Sequence, residues 1–330
     1  MYNKKPPFEI TDDILDAIAE IAELVGQVTV THGLSANPTL RRTNRIRTIY
    51  SSLAIEQNTL SLEQVTAVLN GKHVIAPPKD IAEVKNAYEI YEMLDSLNPY
   101  SVDDLLKAHA VMTKDLVEES GCFRSGPVGV VDKHGNVLHF GTLPAYVPNL
   151  VYELFDWVQN SNIHMLIKSC VFHYEFELIH PFADGNGRIG RLWHTLLLSN
   201  WKPFFAWLPV ESIIHDRQDE YYKAINKSNA EGESTVFIEF MLSAIKDALI
   251  EAVATTDTTQ NMTDNELRLF KIEQYLQKNQ YITNSIVQQI FCVSAATANR
   301  ILAKAVDDGF LQKVRVGKYW GYVLIDSPEM

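Results

Sequence analysis

Three observations predict a mainly helical chain with one internal β-hairpin. Apolar residues recur at three- and four-residue spacing through most of residues 12–254. A single hairpin signal interrupts them. A shorter pattern of three helices and a second hairpin closes the chain. In order, Ile14, Ile18, Ile21, Ala22 and Val25 form the first stripe. Leu60, Leu62, Val65, Val68 and Leu69 form another, with Ser61 and Gln64 in capping-box positions. Gly71 to Lys79, with its Pro77-Pro78 break, reads as a loop. Helices resume at Ile81 and again at Val102-Asp103.

Between Gly126 and Gly141, Val128-Gly129-Val130-Val131 and Val137-Leu138-His139-Phe140 flank Asp132-Lys133-His134-Gly135-Asn136, which reads as a hairpin. Phe172, Tyr174, Phe176 and Leu178 alternate as in a strand. Yet Ile163, Leu166, Ile167, Cys170, Val171, Tyr174 and Leu178 keep helical spacing over a longer window, and length favours a helix. Ile189, Leu192, Trp193, Leu196 and Leu197 mark the next helix and would face a core. Thr255 to Asn261 is polar and without large apolar residues, so it reads as a linker. The expected domains are a helical region over 1–100, a core over 101–254, a linker over 255–263 and a small unit over 264–326.

Composition bounds the function. The 330 residues suit one large core plus a small domain, and the net charge is −12. Residues 262–330 hold eight Lys or Arg and seven Asp or Glu, a balance of +1 that leaves −13 for the first 261. Such an acidic body excludes a general nucleic-acid coat. Lys4 and Lys5 run into Pro6 and Pro7 rather than an apolar stretch, and no apolar run approaches ~18 residues, so no membrane span is expected. The three cysteines, Cys122, Cys170 and Cys292, are scattered without metal-ligand spacing, as in a reducing cytoplasm.

The chemistry concentrates between His180 and Arg191, in the stretch HPFADGNGRIGR. A helix starting near Gly187 would aim its free N–H groups back at the glycine turn. Glycines at 185 and 187 permit positive φ and close approach of a ligand. Together these make a nest for phosphate oxygens. Arg188 and Arg191, three apart, are neighbours on the side away from the apolar stripe and add charged bidentate contacts. Asp184 is a hard carboxylate suited to magnesium on a polyphosphate. His180, with an ordinary pKa near ~6.5, suits removal of a proton from an attacking hydroxyl. Taken singly, each residue reads as a turn, a loop histidine or a solvated face; their coincidence within twelve residues points to phosphate-ester transfer. Gly185 to Gly190 also fits the G-x-G-x-x-G fingerprint, but the surrounding βαβ pattern is missing.

At these residues the chain resembles the Fic family, whose motif H-P-F-x-D-G-N-G-R-x-x-R is matched at every fixed position from His180 to Arg191. The resemblance implies a helical bundle with a β-hairpin flap. It implies transfer of AMP from ATP to a Ser, Thr or Tyr hydroxyl of a protein, this chain itself included, with release of pyrophosphate. His180 would be the base and Asp184 would hold Mg²⁺. Asn186 and the backbone of Gly185 to Gly187 would grip the α- and β-phosphates. Arg188 would contact the β-phosphate and Arg191 the γ-phosphate. Ser52 to Asn58 resembles the family's inhibitory helix, S/T-x-x-x-E-G/N, so Glu56 would pair with Arg191 and block the γ-phosphate; Gln57 departs from the expected Gly or Asn. Val128, Gly129 and Val130 would belong to the flap that docks the target segment by edge-strand addition. Tyr221, Tyr222, Ile225 and Asn229 would line the adenine pocket. Transfer of another phosphate-containing group, or reversal of the modification, stays open. So does a homodimer that controls access to Glu56.

The last fifth of the chain resembles a winged helix domain. Leu267, Phe270, Ile272 and Leu276 mark a first helix, Ile282 to Ile290 a second and Ala295 to Asp308 a third. Phe310 to Val316 and Tyr319 to Leu324 form the wing around Gly317-Lys318. Asn299, Arg300 and Lys304 on the third helix and Lys313, Arg315 and Lys318 on the wing are the candidate DNA contacts, opposed by Asp307 and Asp308. A regulator that binds DNA through this domain and senses nucleotide through its core is the alternative of another class.

Overall fold

The computed structural model describes residues 5–31, 37–131, 137–260, 264–277, 279–316 and 319–325. The chain divides into two compact units, before and after Val253/Ala254. The first unit holds helices α1 (Asp12–Thr31), α2 (Pro38–Ile55), α3 (Leu62–Leu69), α4 (Pro78–Glu92) and α5 (Val102–Met112). A hairpin of β1 (Gly129–Val131) and β2 (Val137–Phe140) follows. Then come α6 (Val147–Asn160), α7 (Met165–Ile179), α8 (Asn186–Trp201), α9 (Val210–Asp216), α10 (Gln218–Glu231) and α11 (Thr235–Gln260). The expected helical bundle carrying a small hairpin therefore agrees with the fold.

Local sequence explains the helix ends. Ser61 accepts from the Gln64 N–H while the Gln64 side chain accepts from the Ser61 N–H, a complete capping box on α3. Asn37 caps α2 ahead of Pro38, and Ser101 caps α5. α4 starts at Pro78, three residues before the expected Ile81, because proline is favoured in the first helical turn. The stretch 163–178 is helical from Met165 onward, as its longer periodicity predicts. α11 runs on to Gln260 through most of the segment that reads as a linker. No glycine or proline stops it there, so the threonines stay helical; Asn261 lies outside the described residues.

Two apolar clusters fill the first unit. One is built from α2, α3, α4, α5, α6, α7 and α8, with Ile49, Leu53, Val84, Ile90, Leu105, Phe172, Leu192 and Trp193 at its centre. The other joins α1, α7, α10 and α11 through Ile14, Ile21, Cys170, Val171, Tyr174, Tyr221, Phe237 and Ile245. α7 contributes to both clusters and is buried nearly all round, as a central helix must be. α7 and α8 pack along their length, and the loop between them carries the motif. The hairpin pairs Gly129 with Phe140 and Val130 with His139, with a bulge before Val131; its turn, 132–136, lies outside the described residues.

The second unit holds α12 (Asp264–Leu276), α13 (Asn284–Phe291), α14 (Ala295–Asp307) and the antiparallel pair β3 (Leu311–Val316) and β4 (Tyr319–Leu324). Ile272, Ile282, Val287, Ala298, Leu302 and Leu311 form its own core. Gly317 and Lys318 fall outside the described residues. No single described helix is long and apolar enough to cross a membrane.

α2, which carries Ser52 and leads into Glu56, is a core helix. Leu53 is buried within the larger cluster, so Leu53→Ala should cost about 2–4 kcal/mol. Urea unfolding should show a lower midpoint with an unchanged slope.

Candidate active site

His180 terminates α7 in the left-handed region, at φ 52 and ψ 63. That conformation turns the chain sharply into Pro181 and Phe182. The imidazole Nδ1 lies 3.3 Å from the Glu177 carbonyl oxygen and 3.8 Å from its carboxylate. A proton on Nδ1 donated to that carbonyl puts the lone pair on Nε2, the tautomer a base needs. The loop beyond is internally braced. The Asn186 side chain accepts from the Phe182 N–H and donates to the Phe182 carbonyl, both at 2.8 Å. The amide of Asn186 thus braces the loop while its second Nδ2 hydrogen and its backbone N–H are not used by these two bonds. Gly185 takes φ 84 and opens α8. Phe182 stacks on His109 with ring centroids 3.7 Å apart.

His109 is a part of the site that motif reading missed. Its Nδ1 accepts from the Gly121 N–H at 3.0 Å, so its Nε2–H donates to the Asp184 carbonyl at 2.9 Å. Burial, opposed by that bond, lowers its pKa to about 4, so it stays neutral and fixed. It holds the Asp184 backbone while the side chain remains 46% exposed. The Asp184 Oδ1 accepts from the Gly185 N–H at 2.6 Å and from Arg188 Nη2 at 3.1 Å. No group of three His, Cys, Asp or Glu side chains that could hold a metal occurs among the described residues. The exposed hard carboxylate fits a cation that takes one protein ligand and completes its shell with phosphate and water.

The two arginines are each only 2% exposed. The face of α8 expected to be away from the core is covered as well, by α2 and α4. Arg188 donates through Nη1 to Glu83 at 3.3 Å and through Nη2 to Asp184. Arg191 donates through Nε to the Ser52 hydroxyl at 3.1 Å and through Nη2 to the Ser52 carbonyl at 2.9 Å. The same Nη2 donates to Glu56 Oε1 at 2.7 Å. Burial alone would lower the pKa of Arg191, but Glu56, Tyr221 and Glu177 reverse that and raise it. Glu56 Oε1 also presses on Gly187 so closely that a Cβ there would collide with it. The Glu56 carboxylate thus sits on the glycine nest and on the motif arginine at once.

The end of α2 shows what the departure at Gln57 costs. Gln57 has φ 67, a left-handed backbone that Gly or Asn adopts readily. Asn58 then fastens the turn. Its Nδ2 donates to Glu83 Oε2 at 2.8 Å and its N–H to the Leu53 carbonyl at 3.1 Å. Glu83, also unforeseen from sequence, therefore joins the turn after Glu56 to Arg188.

Glu177 lies under Gly190, whose added Cβ would be 3.0 Å from its Oε1. Burial, with repulsion from Glu56, raises its pKa to about 8 against the pull of Arg191. The side chains expected around adenine divide. Tyr221 is buried in the second cluster and pairs through its hydroxyl with His173 at 3.1 Å, which corrects its expected place on the pocket wall; it packs rather than lines. Tyr222, Ile225 and Asn229 stay half-buried on one face of α10, where Asn229 accepts from the Tyr174 hydroxyl at 2.9 Å. Val128 leads into the hairpin and Gly129 opens β1. The side chain of Val130 lies outside the described residues.

Comparison with known proteins agrees with this geometry. Residues 99–198 match the model of the Fic/DOC family. The crystal structure of a Fic family protein from Desulfovibrio desulfuricans G20 is 42% identical, covers 99% of this chain and is itself wholly covered, with a TM-score of 0.75. The chain belongs to the Fic/DOC family. Protein adenylyltransferase fic-1 of Caenorhabditis elegans is 31% identical over 208 residues, 58% of this chain and 38% of that protein. Protein adenylyltransferase Fic of Nematostella vectensis is 28% identical over 235 residues, 66% of this chain and 52% of its own length. This Fic chain therefore spans about two-fifths to half the length of the curated relatives it matches.

Two outcomes follow from the site. Gln57→Gly removes the left-handed penalty and should raise stability by up to about 1 kcal/mol in urea titration. Glu177 keeps its proton in the folded protein up to about pH 8 but loses it near 4.5 when unfolded. Its contribution is full below the unfolded value and fades as pH rises through the folded one. Melting curves between those limits should show a shallower loss of stability with pH in Glu177→Gln.

Proposed function

We propose that the chain is a protein adenylyltransferase held in an inhibited state by its own Glu56. The observation that carries this reading is the Glu56 carboxylate over Gly187 and on Arg191. A nest of N–H groups with a buried guanidinium is built for an anion, and the chain supplies one from the end of α2. The names of the curated relatives support the same reaction.

In that reaction His180 Nε2 takes the proton from a Ser, Thr or Tyr hydroxyl of the target. The hydroxyl oxygen attacks the α-phosphorus of ATP. The bond to the α–β bridging oxygen breaks, and pyrophosphate leaves with that electron pair. The N–H groups at the start of α8 and the guanidinium of Arg188 bind the α- and β-phosphates, and Arg191 takes the γ-phosphate once Glu56 has swung away. Asp184 would hold Mg²⁺, which when bound neutralises phosphate charge. Tyr222, Ile225 and Asn229 shape the adenine side. The target segment adds to the hairpin edge at Val128 to Val130. Catalysis in this arrangement is positioning plus charge stabilisation.

We also assign the second unit as a winged helix domain. Its order α12, α13, α14, β3, β4 fits, and Ile282 bridges Tyr322 as a short third strand would. Arg315 and Lys313 stack on the half-exposed Trp320, 4.7 and 4.6 Å from ring centroids, and offer the wing a basic, aromatic surface. Duplex binding through it should weaken steeply with salt in fluorescence anisotropy.

The deciding experiment offers ATP labelled at the α- or the γ-phosphate to the parent and to Glu56→Gly, with Mg²⁺. Label should reach protein from the α-position only, at least about tenfold faster in Glu56→Gly, since each 1.4 kcal/mol lost from the closed state is tenfold. Label from the γ-position would mean phosphotransfer instead. In the Glu56→Gly background, His180→Ala should cut transfer by about 10²- to 10⁴-fold while ATP still binds.

A further inference from the structure

Arg124 lies in the loop ahead of β1 and is 3% exposed. Among the described residues, every hydrogen bond its guanidinium makes goes to a neutral carbonyl. Nε donates to His180 at 2.7 Å, Nη1 to Gly126 at 2.9 Å, and Nη2 to Thr142 and, at 3.4 Å, to Ile179. Its own backbone N–H donates to the Pro181 carbonyl at 3.0 Å. One residue therefore grips three consecutive residues at the motif histidine and both feet of the hairpin. Burial without a carboxylate lowers its pKa, so this is a costly place for a charge.

The hairpin closes over the same point. The Gly141 N–H donates to the Val128 carbonyl at 3.0 Å. A Cβ at Gly141 would lie 2.9 Å from Val128, 3.0 Å from Arg124 Nη2 and 3.4 Å from His180 Cβ. The chain just past β2 therefore comes into contact distance of both His180 and the Arg124 guanidinium. His180 is held in a left-handed backbone conformation, which persists only where its surroundings enforce it.

We propose that Arg124 is a positioning residue that sets the register between the target-docking hairpin and His180, so that a hydroxyl seated on the hairpin meets Nε2. The planar fork suits this role. It reaches carbonyls on two sides of the guanidinium, whereas a lysine ammonium could satisfy only part of the set. The proposal rests on the adenylyltransferase reading for its catalytic consequence, but not for the clamp itself.

The test compares Arg124→Lys, Arg124→Ala and Gly141→Ala in the full-length Glu56→Gly chain. Label transfer from α-labelled ATP should fall by on the order of 100-fold in kcat, the scale of a 1 Å misplacement, with KM for ATP unchanged. Low-millimolar methylguanidinium should restore part of the rate to Arg124→Ala alone. Amide exchange read by mass spectrometry should rise together in the hairpin strands and in residues 177–183, with other segments unchanged. Gly141→Ala disturbs the clamp from the hairpin side and decides the matter if the arginine variants do not fold. Unchanged kcat, a rise in KM for ATP with kcat kept, or exchange that rises in one segment only would overturn the proposal. If the Glu56→Gly parent transfers no label, the adenylyltransferase reading fails, and coupled exchange still decides for or against the clamp.

Discussion

The guanidinium of Arg191 is buried against a carboxylate, and that ion pair organises the site. Arg191 is enclosed by α2 and α8, and burial without a counter-charge would cost several kcal/mol. Glu56 meets that need in the closed state, and in the proposed reaction the γ-phosphate meets it in the productive one. In the proposed reaction, inhibition and substrate binding are thus two ways of satisfying one group. Ser52 helps in both, because its hydroxyl and carbonyl hold the guanidinium in place. On that reading the arginine is fixed and only its anion changes.

The same constraint limits how inhibition can be relieved. α2 is buried along Ile46, Ile49, Leu53 and Ile55, and Arg45 on it stacks on Trp207 at 4.5 Å. The Gln218 side chain donates to the Ile55 carbonyl at 3.1 Å, and Asn58 is tied to Glu83. Withdrawing this helix would open the core. Rotation of the Glu56 side chain, which is 36% exposed, costs one ion pair. The cheaper motion is the side-chain one.

Around this pair the chain arranges neutral groups with care. His109 is kept uncharged and donates to the Asp184 backbone, Asn186 is engaged by Phe182, and the guanidinium of Arg124 is held by carbonyls. These contacts brace the loop on both sides of the motif without adding anions that would compete with a phosphate for the N–H groups of α8. Glu177 fits the pattern, since burial and Glu56 favour its protonated form.

Much of this was legible in order along the chain. The pair of Glu56 with Arg191, 135 positions apart, came only with the family resemblance, whereas the helical stripes, the capping box at Ser61, the hairpin and the glycine turn all follow from short-range spacing. Local sequence alone determined those, because a helix period, a cap or a turn is decided by residues a few positions apart. What it could not show is which polar groups would meet across long separations. Glu83 reaches Arg188 over 105 positions, and His109 reaches Asp184 over 75. Tyr221 looked like a pocket wall and became core because α11 covers it. Asn186 braces the loop through Phe182, a contact the motif spacing did not reveal. The tertiary structure decided these, for burial and hydrogen-bond partnership depend on what packs on each face, and no local pattern records that.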